Sequence, residues 1–174
     1  MQNGFFLSEI VPNDKPLFIQ HLQEKEISDL TLTVPYPYGE AQADQWIAFC
    51  AEQKKRVGAT LQWAIRDEKA QLVGAIGFSE FIPGEAHKAD LGYWVAKPYW
   101  GKGIATDAVK TLSKVAFEEM GLIRLTASLF AHNERSEKVL TKCGFKQEAF
   151  MKYYYYKNEM LIDGKLFAHV IEPD

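Results

Sequence analysis

The feature that most constrains this chain is a glycine-containing turn between a predicted strand and a predicted helix. An apolar run from Leu91 to Val95 is typical of a strand, and a helical pattern opens at Ile104, directly after the triplet Gly101-Lys102-Gly103. Such a turn leaves main-chain N–H groups unpaired at the start of the helix, where the helix dipole adds roughly half a positive charge. The turn therefore predicts a site for an anion such as the pyrophosphate of a nucleotide-type cofactor.

Two well-known phosphate-binding loops do not match this turn. Thr106 stands where a dinucleotide fingerprint has its third glycine, and no strand ends in an acidic residue about twenty positions later. No Gly-Lys-Ser/Thr sequence closes a Walker loop. Glycines in front of a helix also occur in tight turns that bind nothing, and the triplet alone leaves that alternative open.

Size and charge restrict the class of protein to which this chain can belong. A chain of 174 residues with 47% apolar and 25% charged residues is typical of a single soluble globular domain. The net charge of −3 argues against non-specific nucleic-acid binding, and no apolar run approaches the ~18 residues of a membrane span. Cys50 and Cys143 have no metal-ligand spacing, and the start of the chain lacks a signal-peptide pattern. We expect a cytoplasmic protein with no metal, nucleic acid or membrane partner.

Hydrophobic periodicity divides the chain into interleaved strands and helices. It predicts strands at 5–9, 60–66, 72–81, 89–95, 124–129, 146–156 and 165–171, and helices at 12–26, 40–56, 104–120 and 134–142. Because several strands follow one another before the helices resume, the expected class is α/β or α+β with a mixed sheet.

Three blocks of sequence carry a resemblance to a known family. They are 35–37 with 46–47, 91–108, and 133–145, and they follow one another in the family's order and spacing. Together they resemble the GNAT acetyltransferases, most closely the group that contains the ribosomal-protein N-terminal acetyltransferases RimJ and RimL. The resemblance covers nearly the whole chain and implies one GNAT domain over residues 1–174. It also implies a mixed, mostly antiparallel central sheet with a splayed central strand pair, flanked by helices. Dimers are common in this group.

The resemblance also implies acetyl-CoA as co-substrate and gives positions for its binding. The pantetheine arm would lie in the gap between two splayed strands, along residues matching Tyr93, Trp94 and Val95. Asn133 matches a pantetheine ligand, although a plain helix N-cap is the alternative, and Ser136 matches a site beside the thioester. The pyrophosphate would bind the N–H groups of Gly101, Lys102, Gly103, Ile104, Ala105 and Thr106.

Acetyl transfer to an amine has three chemical needs: a neutral amine, a donor for the oxyanion, and a proton for the departing thiolate. The N–H near Val95 is the expected oxyanion donor, because a splayed strand leaves it unpaired. Asp90 matches a carboxylate that serves as general base in some GNAT enzymes, and Glu80 is a weaker candidate. The alternative for Asp90 is a strand end at a solvated loop.

The thiolate's proton donor departs from the common family pattern. Many members have a tyrosine seven residues after the asparagine, whereas this chain has Leu140 there. The resemblance to the RimJ/RimL group implies that Ser136 could hydrogen-bond the thiolate instead, with an ordinary surface serine as the alternative. In the run from Tyr153 to Tyr156, strand alternation would place two tyrosines in the acceptor pocket, or simply on a half-buried sheet.

Amine basicity bears on the choice of acceptor. A protein α-amine has a pKa near 8 and is roughly 10–20% neutral at pH 7, whereas a lysine-type amine is only about 0.04% neutral. A chain without an evident dedicated base suits an α-amine better, so a protein N-terminus is the expected acceptor. The alternatives are a small amine (polyamine, aminoglycoside or amino acid) and a non-catalytic CoA-binding domain.

Overall fold

The chain forms one seven-stranded sheet with helices on both faces in the computed structural model, which describes residues 1, 4–79 and 81–172. The strands are β1 (Phe6–Glu9), β2 (Gln62–Arg66), β3 (Leu72–Phe78), β4 (Lys88–Val95), β5 (Arg124–Phe130), β6 (Lys146–Lys157) and β7 (Met160–Val170). The α-helices are α1 (Lys15–Leu22), α2 (Lys25–Asp29), α3 (Glu40–Val57), α4 (Ile104–Glu118) and α5 (Glu134–Lys142). Among these described helices, none has the length and apolar character that a bilayer crossing requires.

The sheet is mixed and mostly antiparallel, as the sequence predicted. Its strand order is β1-β2-β3-β4-β5-β7-β6, and β4 with β5 is the parallel pair. These two strands pair only from Lys88↔Arg124 to Asp90↔Thr126 and then separate. Beyond that point β4 stays paired with β3, and β5 stays paired with β7. The sheet therefore contains an internal gap between residues 91–95 and 127–130, which confirms the splayed strand pair.

Side chains alternate along β4, so successive residues next to the gap point toward opposite helical layers. Leu91 and Val95 pack into the core beneath α4, together with Leu112. Trp94 points to the opposite face, where its ring lies 5.9 Å from that of Phe18 on α1. The gap consequently opens toward α4 and α5 on one side of the sheet and toward α1–α3 on the other.

Several expected elements have different boundaries in the structure, and two differ most; β3, for example, ends at Phe78 rather than at residue 81. The helix expected over 12–26 is divided into a 3-10 turn (Pro12–Asp14), α1 and α2. The last strand begins at Met160 rather than at Lys165, because Asn158 and Glu159 form a two-residue turn with φ of +50° and +63°. Two consecutive left-handed residues match the twist of the flanking strands, so the hairpin closes tightly at Lys157↔Met160.

Candidate functional site

A cavity of 1130 Å³ occupies the gap between β4 and β5 and extends to both helical layers. On the side of α4 and α5 it is lined by the glycine turn and by α5. On the other side it is lined by residues 27–34 and by one face of α3. The structure thus brings together most residues that the sequence had placed in one site: Tyr93, Trp94, Val95, Gly101, residues 103–106, Asn133 and Ser136. Lys102 does not line the cavity, because its side chain turns toward the Tyr99 ring, 5.1 Å from its centre.

The glycine turn has the backbone that the sequence predicted. Gly101 and Gly103 have φ of +74° and +79°, a region that strains other residues, and a Cβ at either position would meet nothing within 4 Å. Within the described part of the chain, no N–H group of residues 101–106 donates a hydrogen bond; the Asp107 N–H is the first to do so, to Gly103 O at 3.0 Å. These amides are available to an anion, and the dipole of α4 favours negative charge there.

Cationic side chains surround the same end of the cavity. Trp100 donates its indole Nε1–H to Val95 O at 2.6 Å, and the Arg135 guanidinium lies 4.4 Å from the centre of the Trp100 ring. Arg135, Lys138 and Lys142 all line the cavity from α5. The sequence analysis did not select these three cations, although their spacing of three and four residues marks one face of a helix.

The exposed edge of β4 supplies main-chain groups to the gap. The Ala96 N–H donates to Val73 O at 2.8 Å, and Val95 is the next residue in the same antiparallel register. Because hydrogen-bonded and non-bonded pairs alternate in an antiparallel ladder, the N–H groups of Val95 and Tyr93 point away from β3. Since β5 has already diverged, these N–H groups face the cavity.

Tyr93 and Ser136 form a hydroxyl pair that spans the cavity wall. Tyr93 Oη lies 2.6 Å from Ser136 Oγ. Burial raises the pKa of the Tyr93 phenol, so it remains protonated well above neutral pH. The sequence analysis placed both residues at the cofactor site and missed their contact, because residues 43 positions apart meet only through the fold.

Asn133 links the two sides of the site. Its Oδ1 accepts the Ser136 N–H at 3.1 Å, which confirms the helix N-cap at the start of α5. Its Nδ2 donates to Leu30 O at 3.2 Å on the other side of the cavity. The second bond ties the α5 end of the site to the segment that follows α2.

Asp90 lies where β4 and β5 separate. Its side chain is exposed and accepts a hydrogen bond from Thr126 Oγ1, its partner in the last residue pair of the two strands. Asp90 is also the one acidic side chain among the described residues that line the cavity. Glu80, the second candidate base, lies outside the described residues. No cluster of His, Cys, Asp or Glu side chains suited to a metal ion occurs in the described ranges.

The far end of the cavity is mostly apolar. Trp46 and Phe49 stack with ring centres 5.6 Å apart on α3. Trp46 Nε1 and the neighbouring Gln53 Oε1 are buried without a hydrogen-bond partner in the described structure. Of the tyrosines at 153–156, Tyr155 alone lines the cavity, so the alternative that placed two of them there is wrong. The physical reason is the φ of +53° at Tyr153, which interrupts the strand alternation.

Comparison with known proteins identifies a family and several proteins that this chain resembles. The acetyltransferase (GNAT) domain family matches residues 5–146. The ribosomal protein uS5 alanine N-acetyltransferase of Escherichia coli is 31% identical over 105 residues, which are 60% of this chain and 51% of that protein. The chain spans between half and two thirds of the length of the first curated relatives that it matches.

Solved structures share the fold at low sequence identity. RimL, a ribosomal-protein alpha-N-acetyltransferase solved with coenzyme A, superposes with a TM-score of 0.87 at 18% identity, covering 99% of this chain and 97% of that one. The spermidine N-acetyltransferase of Vibrio cholerae, solved with CoA and spermine, gives 0.79 at 15% identity, covering 96% and 95%. At these identities the likeness concerns the fold.

Removing the Tyr93 hydroxyl tests the hydroxyl pair. We expect Tyr93→Phe to lower the free energy of unfolding at pH 7 by about 1 kcal/mol, the usual net contribution of one hydrogen bond. The unfolded phenol ionises near pH 10, whereas burial raises the pKa of Tyr93 in the folded protein. Wild-type stability should therefore fall as the pH rises above about 10, and more steeply than in the variant. Urea unfolding at pH 7 to 11 measures both effects.

The matched control for this variant is Tyr156→Phe, because Tyr156 is 67% exposed. We expect it to leave both the stability and its pH dependence unchanged. Equal behaviour of the two variants would contradict the assigned environment of Tyr93.

Proposed function

The chain belongs to the GNAT acetyltransferase family, and from that premise we propose that it transfers the acetyl group of acetyl-CoA to a primary amine, favouring a protein N-terminal α-amine. One observation carries the proposal: a single cavity joins unpaired helix-start amides on one side of the sheet to a mostly apolar chamber on the other. Donor and acceptor would enter from opposite faces and meet in the gap between β4 and β5.

The donor site follows from the charges and the free main-chain groups. The diphosphate of acetyl-CoA would bind the N–H groups of residues 101–106, beside the cations of α5. The pantetheine arm would extend along the edge of β4, where the main-chain groups of Tyr93 and Val95 face the gap, and near Asn133. The thioester would then lie between Asp90 and Ser136, the two candidate catalytic residues.

The reaction follows from the groups in the gap. The amine nitrogen attacks the thioester carbonyl carbon, and the Val95 N–H stabilises the oxyanion that forms. Asp90 accepts the proton that the amine loses. The C–S bond then breaks, and the thiolate takes a proton from Ser136 Oγ, which is hydrogen-bonded to Tyr93 Oη. Ser136 regains a proton from water and Asp90 releases the amine proton to water, so both groups return to their starting state. The products are the acetylated amine and free CoA.

The acceptor chamber favours a mostly neutral substrate that carries one amine. A polyamine brings several positive charges, and each needs a partner when it leaves water. Asp90 is the one acidic group in the described lining, whereas the far end is formed by apolar and aromatic side chains such as Trp46 and Phe49. Among the similar proteins are a ribosomal-protein alanine N-acetyltransferase and a spermidine acetyltransferase, so both acceptor classes belong in a test.

An amine panel tests the proposed function. Thiol release from acetyl-CoA is measured with uncharged peptides bearing a free N-terminus, with the same peptides blocked at the N-terminus but containing lysine, and with spermidine. We expect the highest kcat/KM with the free N-terminus, and mass spectrometry should place the acetyl group there. Preference for spermidine would overturn the acceptor class, and no release with any amine would overturn the enzyme proposal.

A matched pair of glycine variants tests the donor site. Gly103 and Gly84 have φ of +79° and +85°, and a Cβ at either would meet nothing within 4 Å, but only Gly103 lines the cavity. Both Gly→Ala changes should lower the free energy of unfolding by about 1–2 kcal/mol. Only Gly103→Ala should weaken CoA binding, by about tenfold in Kd by calorimetry, because the turn amides shift. Equal CoA affinity in both variants would contradict the turn as the binding site.

The two catalytic roles predict a characteristic pH dependence. We expect Asp90→Asn to lower kcat/KM by roughly 100-fold at pH 7, in the range for a general base. An α-amine with a pKa near 8 becomes mostly neutral by pH 9, so the deficit should narrow as the pH rises from 7 to 9. Ser136→Ala should instead lower kcat by a similar factor across that range, since its role is to protonate the thiolate.

The control for these variants is Asp44→Asn, which removes an exposed carboxylate paired with Lys15 on the surface. Its pH–rate profile should match that of the wild type. If the loss of kcat/KM in Asp90→Asn is the same at every pH from 7 to 9, Asp90 has a structural role instead of acting as a base.

A further inference from the structure

The segment formed by residues 27–34, here called the acceptor segment, is a wall of the cavity with little regular structure of its own. Its first residues end α2, a helix of five residues, and the rest continue as turns and coil. The cavity-lining residues of the segment are Ile27, Leu30, Thr31, Leu32, Thr33 and Val34. A helix that ends so soon leaves carbonyl groups without intrahelical partners, so side chains or water must satisfy them.

One ammonium group binds three main-chain carbonyl groups of the segment. Lys157 Nζ lies 2.6 Å from Ser28 O, 2.6 Å from Thr31 O and 2.8 Å from Val34 O. A lysine ammonium has three N–H donors and no acceptor. Its acceptors here are the three carbonyls and Ser28 Oγ, which lies 3.1 Å from Nζ, so every donor has a partner. The buried Ser28 adds its hydroxyl, which donates to Val34 O at 2.9 Å. Three carbonyl groups of the acceptor segment's backbone thus share contacts with a single ammonium group.

The position of Lys157 is set far from the segment in sequence. It is the last residue of β6, next to the tight turn of Asn158 and Glu159, and it pairs with Met160 across the hairpin. Tyr155, two residues earlier, lines the same cavity. The hairpin therefore fixes the Lys157 backbone at the end of a paired strand. The acceptor segment packs against the ammonium of this side chain.

A second side chain attaches the acceptor segment to the donor side. Asn133 Nδ2 donates to Leu30 O at 3.2 Å, while its Oδ1 caps α5. Partial burial of the Lys157 ammonium desolvates its charge and lowers its pKa. The carbonyl oxygens offset that cost, because hydrogen bonds from a charged donor are stronger than neutral ones.

From this arrangement we propose that Lys157 is a positioning residue for the amine acceptor, acting by holding the acceptor segment in the shape that lines the cavity. The inference rests on the proposed function for the identity of the chamber's occupant. Lys157 does not line the cavity itself and lies outside the turn that would hold the diphosphate. Its loss should therefore affect the acceptor and leave the donor unaffected.

The experiment compares Lys157→Met with Lys152→Met. The ammonium of Lys152, on the same strand, lies over the exposed Tyr153 ring, 4.9 Å from its centre. In Lys157→Met we expect the acceptor KM to rise about tenfold, the effect of losing a charge-assisted hydrogen bond, with the Kd for CoA unchanged. Amide hydrogen exchange in residues 28–34 should become faster in the same variant. Lys152→Met should match the wild type in all three measurements.

A milder variant keeps the test informative if Lys157→Met folds poorly. Ser28→Ala removes the hydroxyl and retains the three carbonyls, so it should raise the acceptor KM by a smaller factor in the same direction. An unchanged acceptor KM in Lys157→Met, or an equal loss of CoA affinity, would overturn the positioning role. If the wild type acetylates no amine, the proposed function fails separately. Unchanged exchange in residues 28–34 would then overturn the Lys157 proposal by itself.

Discussion

The early end of the pairing between β4 and β5 is the constraint on which the rest of the site depends. A continuous sheet would satisfy every main-chain group of β4 and separate the two helical layers. Because the pairing stops at Asp90↔Thr126, the next residues of β4 keep one edge bonded to β3 and turn the other toward the gap. The same break creates the passage between the layers and places Asp90 at its entrance. Backbone geometry therefore supplies both the space and some of the polar groups for the proposed reaction.

The two ends of the cavity differ in how they are built. At the donor end, main-chain amides of the glycine turn combine with the α5 cations, so an anionic ligand finds partners that require little rearrangement. At the acceptor end, apolar walls surround few charges, and the wall itself is held by Lys157 and Asn133. A largely preformed donor site and a side-chain-supported acceptor wall suit an enzyme that keeps one co-substrate and selects another. Changes in acceptor preference should therefore concentrate in the acceptor segment and its supports.

Much of the donor site could be predicted from the sequence, and the reason is local. Gly101 and Gly103 are separated by a single residue and directly precede an apolar helical pattern. Their conformational freedom is a property of the residues themselves. The N-cap by Asn133 is similarly local. The contact between Tyr93 and Ser136 was not predictable, since it joins a strand to a distant helix. The same applies to the tyrosine run, where one residue at positive φ placed Tyr155 alone in the cavity.

The sequence by itself determined the turn, the strand and helix pattern, and the family to which the chain belongs, because each depends on residue types at short spacing. Only the tertiary structure decided where the sheet opens and what holds the acceptor segment. Lys157 lies more than a hundred residues from the carbonyls that it binds, and the residues next to it in sequence do not reveal those partners. Long-range hydrogen bonds depend on which strand ends meet which loops, and that is settled only when the whole sheet is assembled.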